Sequence, residues 1–171
     1  MPKVILFILI CTLSGCGNNK SEQTNINLVV QDSTSITKAD IENLNYTEFI
    51  LDRDSDKKLV GWLKYREMSD RITEIKNGDL SFFKGDKKIV ETFIQEFTDT
   101  VPSNISDEAI LARVLIVRTM YLKLNSVINM STSSKTAIEK SVKDLLEAFS
   151  NLNFQINKKF ERDAQNIVKP E

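Results

Sequence analysis

The stretch SDEAILARVLIVRTMYLKLNSVINM, residues 106–130, decides the fold. Ile110, Val114, Val117, Tyr121, Leu124 and Ile128 recur at steps of four and three, the spacing that lines up one face of an α-helix. Leu111, Leu115 and Leu122 add a second apolar face, so this helix is expected to touch two neighbours. Ser106 reads as its N-cap, with Asp107 and Glu108 in the first turn, where negative charge suits the helix dipole.

Working outward, the same period recurs on both sides. Residues 55–77 carry Leu59, Trp62 or Leu63, Tyr65, Met68, Ile72 and Ile75, and Asn77-Gly78 supplies a stop. Residues 80–100 carry Ile89, Val90, Phe93, Ile94 and Phe97, in a helix that starts near Asp79 or after Gly85 and Asp86 and has Pro102 beyond its end. Residues 134–168 carry Ile138, Val142, Leu145, Phe149, Leu152, Ile156, Phe160, Ala164 and Ile167, a helix of about 50 Å at 1.5 Å per residue. Short turns between such helices favour antiparallel neighbours. The expected fold is therefore all-α, an up-down four-helix bundle over residues 55–171.

Before the bundle, residues 39–54 read as an irregular strap. Thr37 and Asp40 imitate a capping box ahead of Ile41 and Leu44, but Asn43, Asn45 and Tyr46 weaken any longer helix. Asp52, Asp54 and Asp56 alternate as the first ligands of a calcium loop do. Lys57 then stands where the sharp turn needs Gly, and Leu63 where a bidentate Glu belongs. The expected role of the run is an acidic cap, Asp54 or Asp56 accepting from the first N–H groups of the next helix.

At the other end of the charge pattern, Met1-Pro2-Lys3 precedes an apolar run from Val4 to Cys11 and the small residues Ser14 and Gly15. This is the make-up of a signal peptide, residues 1–15, and the run is too short to span a bilayer. Leu13-Ser14-Gly15-Cys16 resembles the lipobox of bacterial lipoproteins. The resemblance implies cleavage before Cys16, a diacylglycerol on its sulfur and acylation of the new N-terminus, with chains such as palmitate. Two or three chains anchor firmly where one binds marginally. It also implies that Cys11 leaves with the leader and Cys16 is consumed, so no disulfide forms. Gly17-Asn18 lacks the Asp that retains some lipoproteins in the inner membrane, which favours the outer membrane. The body is similar, in a general way, to uncharacterised helical envelope lipoproteins of Gram-negative bacteria.

Residues 16–38 are rich in Asn, Ser, Thr and Gln and read as a disordered, lipidated tether with a reach on the order of 25 Å. Asp32-Ser33-Thr34 and Asp99-Thr100-Val101 resemble short glycosylated patterns of some bacterial envelope proteins.

Composition narrows the function. The 171 residues hold 23 Lys plus Arg against 24 Asp plus Glu, a formal charge of -1, which lacks the basic footprint of nucleic-acid binding. With no His at all, haem ligation by His, di-iron Glu-x-x-His pairs and most general-base constellations fall away. Neither a Gly-rich phosphate loop nor a Gly-x-Ser-x-Gly elbow occurs, and Ser133-Ser134-Lys135 reads as a helix start. Glu67, Glu74, Glu91 and Glu96 could hold a metal only as a carboxylate cluster and otherwise make a solvated face. Arg113 and Arg118 interrupt the apolar helix, about 140° apart, and are expected to pair with acids of neighbouring helices. Trp62, Tyr65, Phe82, Phe83 and Phe93 are either core or pocket lining. No cofactor is expected. The reading is a non-enzymatic envelope lipoprotein that binds another envelope protein or has a structural role. The alternative is a small-ligand receptor or carrier.

Overall fold

A computed structural model describes residues 34–165 of the chain. Six α-helices run in the order α1 (Lys38–Glu42), α2 (Arg53–Lys58), α3 (Leu63–Lys76), α4 (Lys87–Asp99), α5 (Glu108–Ile128) and α6 (Lys135–Ala164), with a 3-10 turn at Ser81–Lys84 before α4. No strand occurs among the described residues. The fold is all-helical. Among the described residues no helix is long and apolar enough to cross a membrane.

The most extensive pair is α5 on α6; α4 lies against α5, and α3 against α4. The apolar rows meet as their spacing demands. Ile110, Val114, Val117, Tyr121 and Leu124 of α5 are buried, as are Ile138, Val142, Leu145, Phe149, Leu152, Ile156 and Phe160 of α6. Between α3 and α6 the link runs through side chains: Tyr65 stacks on Phe149 at 5.5 Å, and its hydroxyl donates to Asn153 Oδ1 at 2.6 Å.

The expected helix over 55–77 is broken. Leu59 and Trp62 turn inward and are fully buried, and the turn between them closes through Trp62 N–H to the Leu59 carbonyl at 2.9 Å. Burial of an indole outweighs the helical bond lost there, and Gly61, a poor helix former, sits at the break. Of the two starts open to the helix over 80–100, the later one holds: α4 begins at Lys87, because Asp86 caps it through Lys88 N–H at 2.7 Å while Phe83 folds into the core beneath.

Caps explain the remaining boundaries. Asp52, not Asp54 or Asp56, caps α2 by accepting from Ser55 N–H at 2.7 Å. Asp107, not Ser106, caps α5 through Ile110 N–H at 2.9 Å. Thr37 and Asp40 form a reciprocal capping box on α1. α3 ends as a Schellman motif: Asp79 N–H reaches the Glu74 carbonyl, Gly78 N–H reaches that of Ile75, and Gly78 takes a φ of 82°. Residues 44–52 belong to no helix, and Thr47 to Asp52 run beside α6. The leader, Cys16, residues 17–33 of the tether, Asp32 and Ser33 of the first glycosylation pattern, and Ile167 lie outside the described residues.

Candidate functional site

Between α3 and α4 a groove of about 480 Å³ opens over Phe82 and Phe93, whose rings meet edge to face at 5.8 Å. Ile89, expected to point inward, instead stands at the groove edge and is 60% exposed. Ile89 lies in the first turn of α4, at the edge of the buried row Val90, Phe93, Ile94 and Phe97.

Charge rings this apolar floor. Lys64 Nζ bridges Glu67 on its own helix at 2.7 Å and Glu96 of α4 at 2.9 Å, and also stands over the Phe93 ring at 5.6 Å. Donating hydrogen bonds to Glu67 first and Glu96 second raises the Lys64 ammonium above its usual range, so the clamp between the helices stays charged. Arg71 pairs with Glu74 and lays its guanidinium 4.5 Å from the centre of the Phe82 ring. Both cations touch carboxylate and aromatic surface at once. An apolar group could settle against these rings while polar neighbours met the charged rim.

A second, more polar cavity of about 330 Å³ lies under residues 46–51, beside Tyr65 and Ser150. Its roof is held by a ladder on α6. Ser150 Oγ accepts from Phe49 N–H at 2.6 Å and donates to the Thr47 carbonyl at 2.9 Å. Asn153 Nδ2 donates to the Phe49 carbonyl at 3.0 Å, and Asn157 accepts from Asp52 N–H at 3.1 Å while donating to the Ile50 carbonyl at 2.8 Å. Three short polar side chains at steps of three and four thus pair with an extended backbone as a neighbouring strand would. Their signal in the sequence is a polar row beside the apolar row Phe149, Leu152 and Ile156, which attention to apolar residues alone passes over.

The other sequence candidates separate. Trp62 and Phe83 are core, Tyr65 belongs to the polar cavity, and only Phe82 and Phe93 reach the groove. Glu67, Glu74, Glu91 and Glu96 each pair with a Lys or Arg. No group of three metal-ligating side chains gathers among the described residues. Asp52 is spent as a cap, Asp54 pairs with Lys57 and Asp56 with Arg66. Thr100 donates its hydroxyl to the Glu96 carbonyl at 2.7 Å. Ser134 caps α6, and Lys135 reaches Asp40 of α1 at 2.8 Å. Arg113 and Arg118 do not pair with acids: Arg113 donates to the Ala109 carbonyl of its own helix, and Arg118 enters no ion pair among the described residues.

Comparison with family models, with curated proteins and with solved structures finds no match.

Proposed function

We propose that this chain is a non-enzymatic protein-binding lipoprotein of the bacterial cell envelope, with acyl chains on Cys16 as its membrane anchor. Its preferred location is the outer membrane, and its partner is an envelope protein rather than nucleic acid. The leader, Leu13-Ser14-Gly15-Cys16, supports the anchor. The α3–α4 groove supports the binding role, because an open apolar floor with a charged rim suits an apolar anchor residue better than an enclosed substrate. We assign α3, α4, α5 and α6 to an up-down four-helix bundle that holds the groove rigid, with α1 and α2 as additions.

A second reading, a receptor or carrier for a small ligand, is favoured by the groove volume, which falls in the range of small-molecule sites.

The test places a photo-crosslinking amino acid at Ile89 in the full chain expressed in its membranes, with a second probe at Lys143 on α6 as the off-site control. Intact mass reads acylation at Cys16. A discrete adduct at position 89 that is missing at 143 supports the protein-binding reading. An acylated chain with no protein adduct at 89 removes it and leaves the small-ligand reading. A mature chain carrying no lipid on Cys16 removes the anchor.

A further inference from the structure

The second apolar face of α5 is covered only in part: Leu122 packs against the core, while the stretch before it stands open. Leu111 is 38% and Leu115 51% exposed, where a second packing surface was expected. At 100° per residue, Glu108, Leu111, Leu115 and Arg118 fall within an arc of about 80° and form one stripe along the helix. The ends of the stripe are charged and opposite in sign. Among the described residues neither Glu108 nor Arg118 enters an ion pair, although most other Lys and Arg side chains of the fold do. All four positions lie on one helix of 21 residues, so their spacing is fixed.

The stripe is self-complementary. The pairs Glu108/Arg118 and Leu111/Leu115 share a single midpoint at position 113. A two-fold axis through that level brings a second α5 alongside in the opposite direction. Leu111 of one protomer then opposes Leu115 of its partner, twice, and Glu108 of one protomer opposes Arg118 of its partner, twice. An isologous interface requires this reciprocity, and a stripe serving an unrelated partner has no reason to possess it. Ala112, beside the stripe, is small enough to let two helix axes approach. We propose that the chain forms a two-fold homodimer through antiparallel pairing of α5, with Leu111 and Leu115 as its apolar centre and Glu108 and Arg118 as its polar ends. The α3–α4 groove takes no part in this stripe, so dimerisation stands or falls apart from what the groove binds.

One helix pair is a small interface, so the expected dissociation constant in solution is on the order of 10 µM. Confinement to a membrane surface raises the effective concentration and favours the dimer further. Sedimentation velocity on the full chain in a mild detergent, from about 1 to 200 µM, reads the equilibrium. Wild type passes from monomer to dimer over this range. Glu108→Arg alone and Arg118→Glu alone each place like charges together twice and weaken the dimer at least about tenfold, while the double swap restores it to within about threefold. Leu115→Asp abolishes it. Glu108 and Leu115 are exposed and Arg118 is half-buried, so circular dichroism is expected to show unchanged helix content in every variant. A wild type that stays monomeric at 200 µM overturns the proposal by itself. So does a dimer that ignores the single swaps, or one that the double swap fails to restore.

Discussion

Tyr65 of α3 and Asn153 of α6 are joined at 2.6 Å, and Asn153 uses its other amide atom to hold the Phe49 carbonyl at 3.0 Å. One asparagine therefore ties two helices and an extended segment together inside a largely apolar layer. Burial pushes the Tyr65 phenol up, which keeps it a neutral donor through the physiological range. Tyr65→Phe leaves Asn153 Oδ1 without a donor and is expected to cost about 1–2 kcal/mol. Asn153→Ala orphans both the phenol and the Phe49 carbonyl and costs more, about 2–3 kcal/mol. Urea unfolding of both variants checks the order.

Ser150→Ala separates the extended segment from the helical core. It removes an acceptor for Phe49 N–H and a donor for the Thr47 carbonyl, and leaves the α5–α6 packing untouched. Hydrogen exchange is expected to speed up at Phe49 by about tenfold or more while the amides of α5 keep their protection. Equal acceleration at both places would contradict the assignment of Ser150 to the segment alone.

Gly78 and Gly61 predict opposite outcomes for the same change. At Gly78, φ is 82°, and an added Cβ would come within 2.8 Å of backbone atoms of Thr37 and Lys38. Gly78→Ala is expected to destabilise by more than about 1 kcal/mol. At Gly61 nothing lies within 4 Å of an added Cβ. Gly61→Ala is expected to stabilise by about 0.4–1 kcal/mol, because it restricts the unfolded chain. Melting temperatures of the two variants should move in opposite directions.

The Asp40 carboxyl is lowered from 3.8 to about 2, first by the hydrogen bond from Lys135 and then by Thr37. Its folded value lies below its unfolded one, so the ionised form favours folding. That contribution is complete above the ordinary carboxylate range and is lost as pH falls from about 4 towards 2. Asp40→Asn is expected to melt below wild type at pH 7, and the gap should close near pH 2. Thermal melts across that window test it.

Tyr121 is wholly buried, and its hydroxyl finds no hydrogen-bond partner among the described residues. Its ring packs on Phe83 at 4.8 Å and Phe93 at 5.7 Å. Tyr121→Phe keeps the rings and removes an unsatisfied polar atom, so it is expected to be neutral or stabilising by up to about 1 kcal/mol. A loss above that in chemical denaturation would mean that the hydroxyl has a partner.

The inner rows of α5 and α6 were legible because long helices repeat their pattern enough times to average out exceptions. The exceptions cluster where a stripe has fewer neighbours than its width allows: Ile89, Leu111 and Leu115 look like core in the sequence and are exposed in the fold. A helical wheel gives the width of an apolar face and leaves open how many elements cover it. Caps slipped by a few positions, Asp52 for Asp54 or Asp56 and Asp107 for Ser106, since adjacent residues there are all competent to cap. The break at 59–62 was hidden because the indole that causes it fits the helical spacing as well. Of the groove, Phe82 and Phe93 were among the aromatic candidates, while Lys64 and Arg71 went unmarked. They matter through ring contacts that only the fold creates.

The rungs at Ser150, Asn153 and Asn157 follow one another along α6 in the same direction as residues 47–52 follow one another along the chain. Nearer the start of that helix, Lys135 holds Asp40. The arrangement has a mechanical consequence. A pull on Thr34 directed along the axis of α6 runs parallel to the row of rungs, so it shears them together instead of peeling them one by one. Forced opening is then governed by the slow rate of breaking several bonds at once. A load applied there would meet the buried Ile36 and Ile41 and then the rungs before it reached the α5–α6 packing.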